Sequence, residues 1–247
     1  MKPILVSRQQ VFQGPVRIIN RNHPLHAGST GELVAADSRY PQILLERRTA
    51  QLLTACIQSV GGQRDIVPVS GWRSQAEQQS IWDGTMAERG EDFTRKYVAL
   101  PGCSEHQSGL AIDLGKAAGH IDFIRPAFPY DGVCGAFRKA AAKYGFIQRY
   151  QAGKEALTGI AREPWHFRYV GTPHALLMES HGICLEEYPA FLREKPRSCS
   201  LPGGQLAQVF YVPCTGETTE IALPEGCCQI SGDNMGGFIV TAWGYPV

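Results

Sequence analysis

The sequence predicts a fold of mixed helices and strands, followed by a small β-rich segment. Up to about residue 195, stretches with helical apolar spacing alternate with short β-prone runs. From about residue 199 the pattern changes to β-prone runs separated by turn formers. A chain of 247 residues is long enough for one main domain and an appendage. We therefore predict a main domain over 1–198, including an N-terminal wrapping arm, and a β appendage over 199–247.

The first half of the main domain is predicted to contain two helices joined by a strand. Apolar residues recur at near-helical spacing over 41–60, and Gly61-Gly62 follows. Residues 66–69 form a β-prone run. Ser74 and Glu77 then match a capping box, which opens a second helix through about Gly84. Arg73 is thereby placed at a strand-to-helix corner, a position where side chains face a cleft.

The second half continues with a strand that carries a carboxylate. From Gly109 onward, alternation places Leu110, Ile112 and Leu114 on one face. Asp113 lies on the other face, beside small residues that leave open space. The remaining predictions are a helix over 133–144, a strand over 166–170, helices over 173–180 and 185–193, and strands over 208–212, 219–223 and 237–243.

The composition excludes several classes of protein. Lys and Arg number 24 against 23 Asp and Glu, so no strong field attracts nucleic acid or an acidic membrane surface. No stretch approaches the roughly 20 apolar residues of a membrane span, and the N-terminal apolar run is too short for a signal peptide. We expect a cytoplasmic protein whose eight scattered cysteines are reduced. The sequence does not indicate an oligomeric state.

Two stretches, 104–113 and 163–166, contain the residue types that a catalytic zinc site needs. Two imidazoles and a carboxylate can take three corners of a tetrahedron, and a water molecule takes the fourth. Pro164 disfavours a helix between Glu163 and His166, so a bend before the strand would point both into one cavity. Cys103 is an alternative zinc ligand, although a structural thiol is the favoured interpretation.

These groups have complementary roles in peptide hydrolysis. Zinc supplies Lewis acidity and lowers the pKa of its water to about 7. Glu163 takes the proton and returns it to the leaving amine, while Arg73 stabilises the charge that develops on a carbonyl oxygen. Each residue alone is more often structural, but the combination favours an enzyme.

The arrangement resembles the zinc D,D-peptidases of the VanX, VanY and VanXY type, over roughly residues 12–195. The motif S-x-H-x-x-G-x-A-x-D is matched by Ser104, His106, Gly109, Ala111 and Asp113, E-x-W-H by Glu163, Trp165 and His166, and S-G-[YW]-R-S by residues 70–74. The resemblance implies an α+β, hedgehog-like fold with a small central antiparallel sheet flanked by helices. The appendage after residue 199 looks most like that of VanXY members.

The resemblance also implies the site. One zinc ion is expected on His106, Asp113 and His166, with Glu163 as catalytic base and Arg73 on the scissile carbonyl. Ser104 and Gln78 match positions that contact substrate. The implied substrate is a terminal D-Ala-D-Ala, and the implied role is resistance to glycopeptide antibiotics such as vancomycin.

Several functions remain open at this point. Dipeptidase activity on free D-Ala-D-Ala and carboxypeptidase activity on a precursor pentapeptide are not separated by the motifs. An L,D-endopeptidase of the same architecture, acting on assembled peptidoglycan, is a rival enzyme. A non-catalytic binding module, in which zinc only braces the fold, is a rival of another class.

Overall fold

The computed structural model describes residues 2–28 and 30–244, and the chain forms two compact units. One unit is Ile19–Tyr169, and the other combines Met1–Ile18 with Val170–Val247. This grouping differs from the predicted division at residue 198. The physical reason is that the first strand pairs with a strand near the C-terminal end, with Pro3 opposite Ala222. Residues 1 and 29, in the predicted N-terminal part of the main domain, lie outside the described residues. So do residues 245–247, in the predicted appendage.

The unit Ile19–Tyr169 is built on a four-stranded antiparallel sheet of β4 Ile66–Ser70, β5 Ala111–Lys116, β7 His166–Tyr169 and β6 Phe146–Gln148, in that order. A separate antiparallel pair joins β2 Leu33–Ala35 and β3 Leu44–Glu46. The α-helices of this unit are α1 Arg47–Ser59, α2 Gln75–Arg89, α3 Glu91–Tyr97, α4 Gly132–Ala141 and α5 Glu155–Thr158. The predicted small antiparallel sheet flanked by helices is therefore confirmed.

The first predicted helix begins later than expected. Residues 44–46 form β3, and α1 begins at Arg47 because the Glu46 side chain accepts a hydrogen bond from the Thr49 amide as its N-cap. The second helix begins at the predicted capping box of Ser74 and Glu77. It extends beyond Gly84 to Arg89, so that glycine lies inside the helix.

The core of this unit lies between the sheet and helices α1 and α4. Leu110, Ile112 and Leu114 are buried in it, as the alternation predicts. Phe137 and Phe167 pack edge to face with ring centroids 5.0 Å apart. Because Ile112 and Leu114 fill the core, Asp113 between them points to the opposite side of the sheet.

The other unit combines both ends of the chain. Its four-stranded antiparallel sheet consists of β11 Cys227–Gly232, β12 Gly237–Trp243, β9 Leu206–Pro213 and β8 Arg197–Ser200, in that order. A further antiparallel pair joins β1 Lys2–Ser7 and β10 Thr218–Leu223. The predicted runs near 210, 221 and 240 correspond to β9, β10 and β12, whereas β1, β8 and β11 were not predicted. The α-helices of this unit are α6 Thr172–His181 and α7 Tyr188–Glu194.

Every helix of the described chain is too short or too polar to cross a bilayer. The eight cysteines are free, and Cys56, Cys134, Cys184 and Cys199 are buried.

Candidate active site

Three residues from the two inner strands of the central sheet and one turn converge on one face of that sheet. Asp113 on β5 is directly opposite His166, the first residue of β7. His106 lies in a short 3₁₀ turn, Glu105–Ser108, that leads into β5. Gly109 ends the turn with φ of 75°, a left-handed conformation that glycine adopts without strain. The predicted bend before the strand is therefore present.

The ligand atoms of these residues lie within 4.8 Å of one another, and all three side chains are buried. Nε2 of His106 is 3.1 Å from Oδ2 of Asp113, and Nδ1 of His166 is 3.0 Å from Oδ1. The second contact lacks hydrogen-bond geometry, so Oδ1 is a buried acceptor without a hydrogen-bond partner in the described residues. A buried acceptor of this kind beside two imidazoles fits a metal ligand. Cys103 is not part of this group in the described chain.

His106 is oriented by the backbone. Its Nδ1 lies 2.7 Å from the carbonyl oxygen of Gly71, to which it donates as the N–H. Nε2 then carries the free lone pair that faces Asp113. Gly71 lies so close to β3 that a Cβ atom there would be 2.3 Å from the Leu44 carbonyl oxygen. The position of this carbonyl is thus fixed by close backbone packing.

Arg73 lies at the predicted strand-to-helix corner and makes three hydrogen bonds to side chains. Nη2 donates to Oδ2 of Asp113 at 2.9 Å, and Nε donates to the Ser70 hydroxyl at 2.8 Å. Nη1 lies 3.3 Å from Oε1 of Gln78, whose Nε2 donates to the Ala99 carbonyl. The guanidinium is therefore held in one orientation at the cavity.

Glu163 is a second buried carboxylate at the site. Its Oε2 is 3.6 Å from Nδ1 of His166. Burial, together with the negative charge of Asp113, raises the pKa of Glu163 to about 8 in the absence of a cation. Burial opposes protonation of His166, but Asp113 and its other acidic neighbours raise the pKa of this imidazole to about 9. Burial and the charge of Arg73 lower the pKa of His106 to about 4.

All seven predicted site residues line one cavity. Ser104 and Gln78 are both buried and line the cavity together with the metal-site residues. Phe123 and Trp165 contribute apolar surface to the same cavity. A concave space with a few convergent polar groups is the usual form of a small-molecule site.

Glu105, which was not predicted from the sequence, is fully buried behind His166. Its Oε1 accepts hydrogen bonds from Nε of Arg149 at 2.8 Å and Nη1 of Arg168 at 2.7 Å. Burial opposes ionisation, but these two guanidinium groups hold the pKa of Glu105 well below its usual range. Arg168 could have indicated a buried ion pair, because it interrupts the apolar residues of a strand predicted to be buried.

Known proteins share this fold and its site-bearing region. Residues 42–172 match the family model of VanY, D-alanyl-D-alanine carboxypeptidase. The bifunctional D-Ala-D-Ala dipeptidase and carboxypeptidase VanXYC of Enterococcus gallinarum is 39% identical over 184 residues, which are 74% of this chain and 97% of VanXYC.

Two solved structures extend this comparison. The vancomycin resistance D,D-dipeptidase VanXYg, in complex with a D-Ala-D-Ala phosphinate analogue, is 47% identical, has a TM-score of 0.95 and covers 98% of both chains. A mutant of the D,D-pentapeptidase VanY from a VanB-type resistance cassette, in complex with Zn(II), is 29% identical. Its TM-score is 0.59, with 70% of this chain and 98% of the VanY chain covered. The chain thus belongs to the VanY family of D-alanyl-D-alanine carboxypeptidases.

Proposed function

We propose that this protein is a zinc-dependent D,D-peptidase that hydrolyses terminal D-Ala-D-Ala and contributes to glycopeptide resistance. Its substrate is the free dipeptide, the end of the precursor pentapeptide, or both. The observation that carries the proposal is the convergence of three metal-ligand residues, a second buried carboxylate and a held arginine on one cavity. A purely structural metal site has no use for the last two groups, which disfavours a non-catalytic binding module.

The residues present fit one zinc ion. Nε2 of His106, a carboxylate oxygen of Asp113 and Nδ1 of His166 provide three nitrogen and oxygen ligands, and the cavity adjoins them. This is the composition of catalytic zinc sites, which keep one position for water or substrate. When bound, zinc supplies Lewis acidity and makes a water molecule acidic near neutral pH.

Glu163 is the proton carrier of the proposed reaction. Its Oε2 is close to His166, and a nearby divalent cation lowers the pKa of a carboxyl group. As a carboxylate, Glu163 takes a proton from the attacking water. It then returns that proton to the nitrogen of the leaving D-alanine.

Arg73 is the electrostatic partner of the scissile carbonyl. Its contacts with Ser70 and Gln78 hold the guanidinium at the cavity wall before substrate binds. Donors that are already in place stabilise the developing oxyanion without reorganisation. Ser104 and Gln78 line the same cavity and contact the bound peptide.

A side-by-side assay tests the proposal. The protein is supplied with zinc and incubated with D-Ala-D-Ala, a muramyl pentapeptide and purified peptidoglycan. We expect D-alanine to be released from the first, the second or both. Cleavage of an L,D bond in peptidoglycan, with neither D,D-peptide hydrolysed, would instead identify the endopeptidase.

A matched pair of variants tests the role of Glu163. Glu163→Ala should lower kcat by about two to four orders of magnitude with zinc still bound, whereas Glu155→Ala, at an exposed glutamate in α5, should keep wild-type activity. Full hydrolysis by zinc-loaded Glu163→Ala would refute the assigned role.

The cytoplasmic location stays a prediction of the sequence.

A further inference from the structure

Three charged side chains are completely buried behind the candidate metal site. Glu105, Arg149 and Arg168 each have a side-chain exposure of 0%. Removing charges from water is costly, and well-packed apolar residues of similar volume are often at least as stabilising. A buried ionic cluster is thus weak evidence for a role in stability. Its position beside His166 suggests another use.

Within the cluster of Glu105, Arg149 and Arg168, one carboxylate oxygen of Glu105 faces His166. Both arginines bind Oε1, whereas Oε2 faces Nε2 of His166 at 3.6 Å. This separation exceeds the 2.7–3.2 Å range of N–H···O hydrogen bonds by about half an ångström. Both atoms are buried and have no hydrogen-bond partner in the described residues. A small rotation of the imidazole would therefore satisfy both.

The opposite edge of the same imidazole faces the candidate ligands. Nδ1 of His166 is 3.0 Å from Oδ1 of Asp113 and 3.6 Å from Oε2 of Glu163. A neutral imidazole binds a metal through one nitrogen, and its other N–H then donates to an acceptor that fixes the tautomer and ring orientation. For His106 this acceptor is the Gly71 carbonyl.

We propose that Glu105 is the positioning residue of His166. Its Oε2, held by the pairing of Oε1 with Arg149 and Arg168, accepts a hydrogen bond from Nε2–H and thereby presents the Nδ1 lone pair to the metal. The two histidines of the site are then oriented by different acceptors, a backbone carbonyl for one and a carboxylate for the other. This inference rests on the metal site of the proposed function.

Glu105→Gln tests the proposal by a readout other than activity. The amide keeps the shape of the side chain but removes its charge and can turn its NH₂ group toward His166. We expect zinc affinity, measured by competition with a chromogenic chelator, to fall by about 10- to 100-fold. Glu91→Gln, at an exposed carboxylate that also pairs with an arginine, is the matched control and should bind zinc like the wild type.

The tautomer of His166 gives a second readout on the wild-type protein. Long-range ¹H–¹⁵N spectra of the zinc-loaded protein should show the proton of His166 on Nε2 and the metal on Nδ1. This measurement can overturn the proposal even if Glu105→Gln fails to fold. A proton on Nδ1, or unchanged zinc affinity in a folded Glu105→Gln, would overturn the proposal. Failure of the wild type to bind zinc would instead refute the metal site itself.

Discussion

Arg73 donates a hydrogen bond from Nη2 to Oδ2 of Asp113, and the two atoms are 2.9 Å apart. The same oxygen lies 3.1 Å from Nε2 of His106. The arginine that we assign to the substrate carbonyl therefore also contacts a candidate metal ligand. A change at Arg73 should affect the orientation of a ligand as well as the stabilisation of the transition state.

The first prediction concerns the shape of the Arg73 side chain. Lysine keeps the charge but lacks the planar fork that reaches Ser70, Gln78 and Asp113 at once. We expect Arg73→Lys to lower kcat/KM on D-Ala-D-Ala by about 100- to 1,000-fold, with zinc still bound. Steady-state kinetics and metal analysis measure this. Arg95→Lys, at an exposed ion pair with Glu91, should be silent, and wild-type kinetics of Arg73→Lys would contradict the assignment.

The second prediction concerns metal removal. The core around Leu53, Ile112 and Phe167 is fully buried and consists of apolar side chains. We therefore expect a chelator to abolish hydrolysis while the circular dichroism spectrum stays that of a folded protein. Added zinc should restore activity. Cooperative unfolding on chelation would favour the zinc-braced binding module.

The third prediction compares two glycine substitutions. In Gly71→Ala the new Cβ would meet the Leu44 carbonyl oxygen at 2.3 Å, which must displace the backbone acceptor of His106. We expect a loss of about 1–3 kcal/mol in the free energy of unfolding and weaker zinc binding. Gly84→Ala lies inside α2 with open space around it, and it should gain about 0.5–1 kcal/mol. Urea unfolding measures both, and a neutral Gly71→Ala would contradict the close packing.

The fourth prediction concerns acid stability. His174 is buried, with Nδ1 2.9 Å from the Tyr188 hydroxyl and Nε2 3.1 Å from the Thr241 hydroxyl. Burial lowers its pKa to about 3, against 6.5 as the ordinary value. Between these values the unfolded chain binds a proton that the folded protein does not, so stability falls as pH falls from 6.5 toward 3. The expected slope from this group is up to about 1.4 kcal/mol per pH unit.

The substitution His174→Gln isolates the contribution of His174 to the pH dependence of stability. His174→Gln should be less stable at pH 7 and should have a flatter dependence of the unfolding free energy on pH between 6.5 and 4. His120→Gln, at an exposed histidine, is the control. An equal slope in wild type and His174→Gln would show that His174 does not carry the effect.

The convergence of His106, Asp113 and His166 was predictable because each lies in a short motif whose chemistry depends on residue type and local spacing. His106 and Asp113 are separated by one bend, and Glu163 and His166 by Pro164 and Trp165. Glu105 was not predictable in this way. Its burial depends on Arg149 and Arg168, which lie 44 and 63 residues further along the chain.

The fold, too, was predictable where local interactions determine it and was not where distant residues pair. The capping box at Ser74 located the start of α2, because a cap is a local interaction. The apolar residues within 44–46 continue the helical spacing of α1, yet residues 44–46 form a strand that pairs with β2. Tertiary pairing outweighs local propensity here.

The pairing of β1 with β10 has a consequence for the order of folding during synthesis. Leu5 lies opposite Glu220, so β1 has no strand partner during synthesis until β10, far later in the chain, has been made. The unit Ile19–Tyr169 has its sheet partners within its own range and can fold earlier. Closing so long a loop is slow compared with local contacts. A ribosome stalled before residue 218 should therefore carry a folded unit Ile19–Tyr169 and a segment β1 that proteases still cut.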